Sequence, residues 1–105
     1  MKRFNTHKFH AVQTIRDGMK FSSKKEANYY DFLKLEVTQG RVVGFFMQVP
    51  LHLPGKIIYR MDFLVFYSNG TCEGIEVKGY ETPEWKLKEK LINRFYPWFK
   101  LRVVK

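Results

Sequence analysis

Apolar residues recur along this chain with two periods, and the places where the period changes mark its elements. Residues 8–15 and 19–21 are strand-like runs on either side of Asp17-Gly18, a dipeptide that tolerates positive φ and closes hairpins, so a β-hairpin is predicted first. Ala27, Tyr30, Leu33 and Val37 then repeat at helical spacing. Ahead of them, Ser23-Lys24-Lys25-Glu26 fits a capping box, in which Ser23 accepts from a free helix amide and Glu26 reaches back to the N–H of Ser23. Gly40 is placed to end this helix as a left-handed cap. Three runs rich in β-branched and aromatic residues follow, 41–49, 56–67 and 71–78, joined by turns at Pro54-Gly55 and Ser68-Asn69-Gly70. A second helix opens at Thr82-Pro83-Glu84, with Thr82 as cap and an acid at the positive dipole end. Its apolar stripe is read as Leu87, Leu91 and Phe95, and Pro97 stops it. Residues 99–104 form a last strand, which a right-handed crossover makes parallel to 71–78. The fold class is therefore α/β, a single domain over 1–105 with an αβββαβ core, a mixed central sheet flanked by helices, and an N-terminal β-hairpin.

The strand pattern leaves one anomaly, Asp62 between Met61 and Phe63, where a carboxylate is costly unless exposed, paired or bound to a cation. Glu76 and Lys78 share one face of the next strand. A two-residue Asn69-Gly70 loop sets Asp62 opposite Val77, with Glu76 on the other face. A three-residue Ser68-Asn69-Gly70 loop with Gly70 left-handed sets Asp62 directly opposite Glu76, and this register is the one predicted. Two carboxylates about 5 Å apart at Cβ then need a counterion. Mg²⁺ supplies one: it takes about six oxygens, of which Asp62, Glu76 and the Val77 carbonyl can provide some and substrate phosphate and water the rest. Lys78 would lie beside it, able to orient a water or stabilise charge on a phosphate. The plain alternative is a set of weak ion pairs on a solvated sheet face. Glu26 has two readings as well, as the capping-box acid or as a side chain facing the sheet from the flank of the Ala27/Tyr30/Leu33 stripe.

Composition narrows the partners. The chain has 105 residues, a net charge of +9 and a lone cysteine, Cys72. A chain of this size buries enough surface to fold without staples, and one cysteine permits neither a disulfide framework nor a zinc finger, so a reducing, cytoplasmic setting is expected. The longest apolar run, 42–47, is far short of a membrane span, and no signal peptide follows Met1-Lys2-Arg3-Phe4. Residues 1–25 hold seven basic side chains against one acid, residues 86–105 again seven against one, and the middle five against eight. Basic ends suit a polyanion such as nucleic acid. Candidate phosphate contacts are Lys24 and Lys25 on the first helix, Gln48, and Lys86, Lys88, Lys90 and Arg94 on the second, where Lys86, Lys90 and Arg94 make an i, i+4, i+8 stripe that also fits a solvated face. His7, His10 and His52 have no metal-ligand spacing, and no Walker loop, dinucleotide fingerprint or nucleophile elbow is present.

Glu26 on a first helix, Asp62 on a central strand and Glu76-Val77-Lys78 on the next, within αβββαβ, resemble the restriction-endonuclease-like PD-(D/E)XK superfamily. The segments 17–27, Tyr59-Arg60-Met61-Asp62-Phe63, Glu76-Val77-Lys78-Gly79-Tyr80 and 85–91 resemble more closely small phage-encoded nucleases of Holliday junction resolvase type. Met61 departs from the pattern, standing where the superfamily name has proline. The resemblance implies a Mg²⁺-dependent endonuclease, with Mn²⁺ able to substitute, acting on branched DNA such as a four-way junction. It implies Asp62 and Glu76 as metal ligands, Lys78 assisting hydrolysis and Glu26 as a further acid. Cutting two strands of a junction needs two sites, so a homodimer is expected. The rival readings are a nuclease for flaps, nicks or ends, and a non-catalytic nucleic-acid-binding module.

Overall fold

The computed structural model describes residues 13–105. Its elements are β1 (Thr14–Arg16), β2 (Met19–Phe21), α1 (Lys24–Thr38), β3 (Val42–Leu53), β4 (Ile57–Tyr67), β5 (Cys72–Val77), α2 (Pro83–Phe95) and β6 (Leu101–Val104). β1 and β2 form a separate hairpin across Asp17 (φ 51°) and Gly18 (φ 78°), while β3-β4-β5-β6 make a four-stranded sheet. β3, β4 and β5 run antiparallel and β6 runs parallel to β5, so the sheet is mixed, as the helical crossover requires. Positions 8–12 of the expected first strand lie outside the described residues.

Local chemistry explains most boundaries. Ser23 Oγ accepts from the Glu26 N–H at 3.0 Å, and Thr82 Oγ1 from the Trp85 N–H at 3.1 Å, capping the two helices. α1 ends in a Schellman motif: Gly40 is left-handed (φ 80°), its N–H donates to the Val37 carbonyl, and the Arg41 N–H donates to the Glu36 carbonyl. β3 runs past its expected end because it is an edge strand, where Pro50 removes no ladder bond. Two apolar stripes differ from expectation. Ala27, Tyr30 and Leu33 are buried on α1, but Val37 is exposed, and on α2 the buried residues are Trp85 and Ile92, with Leu87 and Phe95 exposed. Trp85 displaces the expected stripe because the largest apolar side chain of α2 turns the helix toward the sheet.

Two apolar clusters result. α1 covers Phe45, Met47, Phe63, Val65 and Ile75, whereas Val49, Leu51, Leu53, Tyr59 and Met61 pack with Trp85 and Ile92 of α2. On both β3 and β4, odd-numbered positions serve both clusters, and the change falls at Gln48 and Asp62. Met47 pairs with Phe63 and Val49 with Met61, which sets Gln48 across from Asp62. Gln48 has φ 56°, a left-handed residue inside a strand, and this turns the ribbon from one cluster to the other.

Candidate active site

The turn that follows β4 sets the geometry. Tyr67 N–H donates to the Thr71 carbonyl at 2.8 Å, Gly70 N–H to the Tyr67 carbonyl at 3.0 Å, and Gly70 is left-handed (φ 92°). The three-residue loop is therefore formed, and the ladder pairs Phe63 with Ile75 and Leu64 with Gly74. The ladder ends at Phe63 and Ile75, and continuing its register by one step sets Asp62 across from Glu76, whose charge acts on it. Asp62 Oδ2 accepts from the Val77 N–H at 2.8 Å, which pins the carboxylate against β5.

Around this pair the neighbours are close. Gln48 Nε2 donates to Asp62 Oδ1 and to Glu26 Oε2, each at 3.4 Å, so it bridges the β4 acid and the α1 acid. Glu26 is buried, and its other oxygen accepts from Ser22 Oγ at 2.7 Å. Only half of the capping box forms, since the Glu26 carboxylate turns to Ser22 and Gln48 and leaves the Ser23 N–H. The buried Tyr59 hydroxyl donates to Glu76 Oε1, and Lys78 Nζ lies 3.3 Å from Glu76 Oε2 and 5.1 Å over the Trp85 ring.

Electrostatics separate this pair from the other buried acid of β5. Burial raises the Asp62 carboxyl from 3.8 to about 7, the negative charges of Glu76 and Glu26 add to it, and the bonds from Val77 and Gln48 only partly oppose it. Burial also pushes Glu73 up, but Arg102 at 3.0 Å, Tyr67 and Lys100 at 3.6 Å outweigh it and hold that carboxyl below its usual range. Glu73 is thus a satisfied structural group that ties β6 to β5. When ionised, Asp62 has too little positive charge near it to offset the loss of solvent and the neighbouring acids.

A family model described as a protein of unknown function, DUF1064, matches residues 6–105. The chain belongs to the DUF1064 family. Among curated proteins none matches it. The matched residues of this DUF1064 chain include Glu26, Gln48, Asp62, Glu76, Val77 and Lys78.

Among the described residues no three His, Cys, Asp or Glu side chains come together as a group able to hold a metal ion by themselves. Gln48 stands between Glu26 and Asp62, which leaves Glu26 a neighbour of the Asp62–Glu76 pair. The donors present nevertheless fit Mg²⁺, a hard cation that is commonly held by one or two carboxylates and fills its other positions with water and phosphate. The raised Asp62 carboxyl is the observation that favours such an ion.

Beside the pair lies a cavity of about 240 Å³ lined by Tyr59, Arg60, Glu76, Lys78, Thr82, Glu84, Trp85 and Lys88. The expected basic stripe of α2 divides here. Lys88 reaches this cavity, Lys86 pairs with Glu81 at 3.3 Å and shares a separate cleft with Lys90, and Arg94 lies over the Phe95 ring. Lys24 and Lys25 are exposed on the first turn of α1, next to Glu26. Tyr59, Trp85 and Ser22 were not legible as site residues. Strict alternation sets Tyr59 on the opposite face from Asp62, and only the reversal at Gln48/Asp62 brings both to Glu76. Among the described residues no helix is long and apolar enough to cross a membrane.

Proposed function

We propose that this DUF1064 protein is a Mg²⁺-dependent endonuclease built on a restriction-endonuclease-like core, hydrolysing phosphodiester bonds in branched DNA as a homodimer in the cytoplasm. The observation that carries the reading is the pair of half-buried Asp62 and buried Glu76, in which loss of solvent and the second carboxylate raise Asp62 to about 7, with Lys78 beside it. Asp62, Glu76 and the Val77 carbonyl would hold the ion, which supplies Lewis-acid activation of phosphate and water.

The rest is work for the chain. Val77 N–H orients Asp62, so that one carboxylate oxygen stays fixed while the other faces Gln48. Lys78 Nζ carries the positive charge nearest Glu76 and is the group suited to stabilise charge developing on the phosphate. Glu26, fixed by Ser22 and Gln48, is an acceptor for a proton from attacking water. Lys24, Lys25 and Lys88 flank these groups and are suited to backbone phosphates, with Lys86, Lys90 and Arg94 extending the basic surface along α2.

The test is a panel of labelled four-way junction, flap, nicked and linear duplex DNA, each incubated with protein in Mg²⁺ or Mn²⁺. The junction should be cut, linear duplex should be cut far more slowly, and Lys78→Ala should lose cutting while still binding. Equal cutting of every DNA would remove junction selectivity. Binding without cutting in either metal would remove the enzyme and favour a non-catalytic binding module.

A further inference from the structure

We propose that Tyr59 and Trp85 are a positioning pair that presets Glu76 and Lys78 before any ion or DNA arrives. The proposal deepens the nuclease reading and rests on it. Four side chains close a ring. The Tyr59 hydroxyl donates to Glu76 Oε1, Lys78 Nζ stands 3.3 Å from Glu76 Oε2 and 5.1 Å over the Trp85 ring, and the Trp85 and Tyr59 ring centroids lie 5.5 Å apart.

Burial gives the ring its stiffness. Tyr59 is 4%, Trp85 3% and Glu76 7% exposed, so their rotamers are set by packing. Each oxygen of Glu76 has a different partner, the Tyr59 hydroxyl as donor to Oε1 and the Lys78 ammonium as ion-pair partner of Oε2, which restrains the plane of the carboxylate as well as its position. Lone pairs that these partners do not engage are left for a cation. A preset carboxylate loses little further freedom when an ion binds, and binding is tighter for it.

Trp85 adds an independent sign. Its indole Nε1–H is the one buried side-chain polar group without a partner among the described residues. An unsatisfied buried donor is unfavourable, so a tryptophan at this position is explained by its ring and not by its N–H. That ring does two things: it packs against Tyr59 at a 45° tilt and carries the Lys78 ammonium on its face. α2, which starts at Pro83, thereby sets both a candidate metal ligand and the candidate catalytic lysine.

Tyr59→Phe keeps the ring on Trp85 and removes only the hydroxyl. Mn²⁺ binding to the DNA-free protein, read by electron paramagnetic resonance, is expected to weaken about tenfold, as loss of a group that orients a ligand commonly does. The Mg²⁺ midpoint for junction cutting shifts by the same factor, and the rate at saturating Mg²⁺ falls less than that. Trp85→Phe, which keeps an apolar ring whose face attracts a cation more weakly, lowers the saturating rate through Lys78. Wild-type Mn²⁺ affinity in a folded Tyr59→Phe protein would overturn the positioning role, leaving the hydroxyl a satisfied core group. Should Tyr59→Phe fail to fold, an unchanged saturating rate and Mn²⁺ affinity in Trp85→Phe would overturn it instead. If the wild type neither binds Mn²⁺ nor cuts, while remaining folded, the nuclease reading itself fails and this inference with it.

Discussion

Replacing the half-buried Asp62 by asparagine should make the metal-free protein more stable at pH 8, against the ordinary expectation for a substitution at a hydrogen-bonded site. The side chain keeps its size, and Asn Oδ1 can still accept from the Val77 N–H that holds Asp62 Oδ2 at 2.8 Å. What disappears is the charge, together with the long 3.4 Å contact in which Asp62 Oδ1 accepts from Gln48 Nε2. Asp62 is raised from 3.8 to about 7, chiefly by burial and next by Glu76. Each pH unit between those values corresponds to about 1.36 kcal/mol, so the ionised carboxylate costs the fold about 4 kcal/mol at most, and about 2 kcal/mol once partial solvent access is allowed for. The sign follows from proton binding. Between pH 4 and 7 the folded protein keeps a proton that the unfolded chain has released, so wild-type stability falls as pH rises through that window and the full penalty stands above 7. Urea unfolding of both proteins in EDTA, followed by circular dichroism at pH 4.5, 6 and 8, reads the difference. Asp62→Asn should lead by about 2 kcal/mol at pH 8 and by progressively less toward pH 4. A variant equal to or weaker than wild type at pH 8 would refute the claim that Asp62 is an uncompensated charge.

Two further substitutions test the frame around the site. A Cβ on Gly74 would stand 2.9 Å from Leu101 Cδ1, 2.9 Å from Phe99 Cζ and 3.0 Å from Met61 Sδ, so Gly74→Ala should cost about 1–3 kcal/mol and lower the thermal midpoint by several degrees. Gln48 is held at φ 56°, where a β-branched residue is strained; Gln48→Val should destabilise by about 1–2 kcal/mol in urea unfolding, while Gln48→Gly should be neutral or slightly stabilising.

Much of the frame was written in local signals. Ser23, Gly40, Thr82-Pro83 and Ser68-Asn69-Gly70 each act within a few residues, and each sits where its chemistry requires. The last of these carries furthest, because the length of one turn decides whether Asp62 faces Glu76 or Val77. Features that depend on packing were not legible. The exposure of Leu87 and Phe95 follows from Trp85 claiming the sheet-facing side of α2, which helical spacing cannot rank. The left-handed Gln48 is invisible to alternation, since glutamine does not advertise positive φ. Because that residue reverses the ribbon, alternation does not bring Tyr59 to Glu76, and the Tyr59–Glu76–Lys78–Trp85 ring is hidden from it. Glu26 was legible as a helix-cap acid, yet its carboxylate is drawn to Ser22 and Gln48 by neighbours 4 and 22 positions away in sequence.

The central claim is that Asp62 and Glu76 support metal-dependent hydrolysis, and single-turnover cutting of an end-labelled four-way junction tests it most directly. Wild-type protein in Mg²⁺ should yield discrete products that EDTA abolishes, and Asp62→Asn, although the more stable protein, should cut at least a hundredfold more slowly. Cutting that persists in EDTA, or an Asp62→Asn protein that cuts at the wild-type rate, would contradict it.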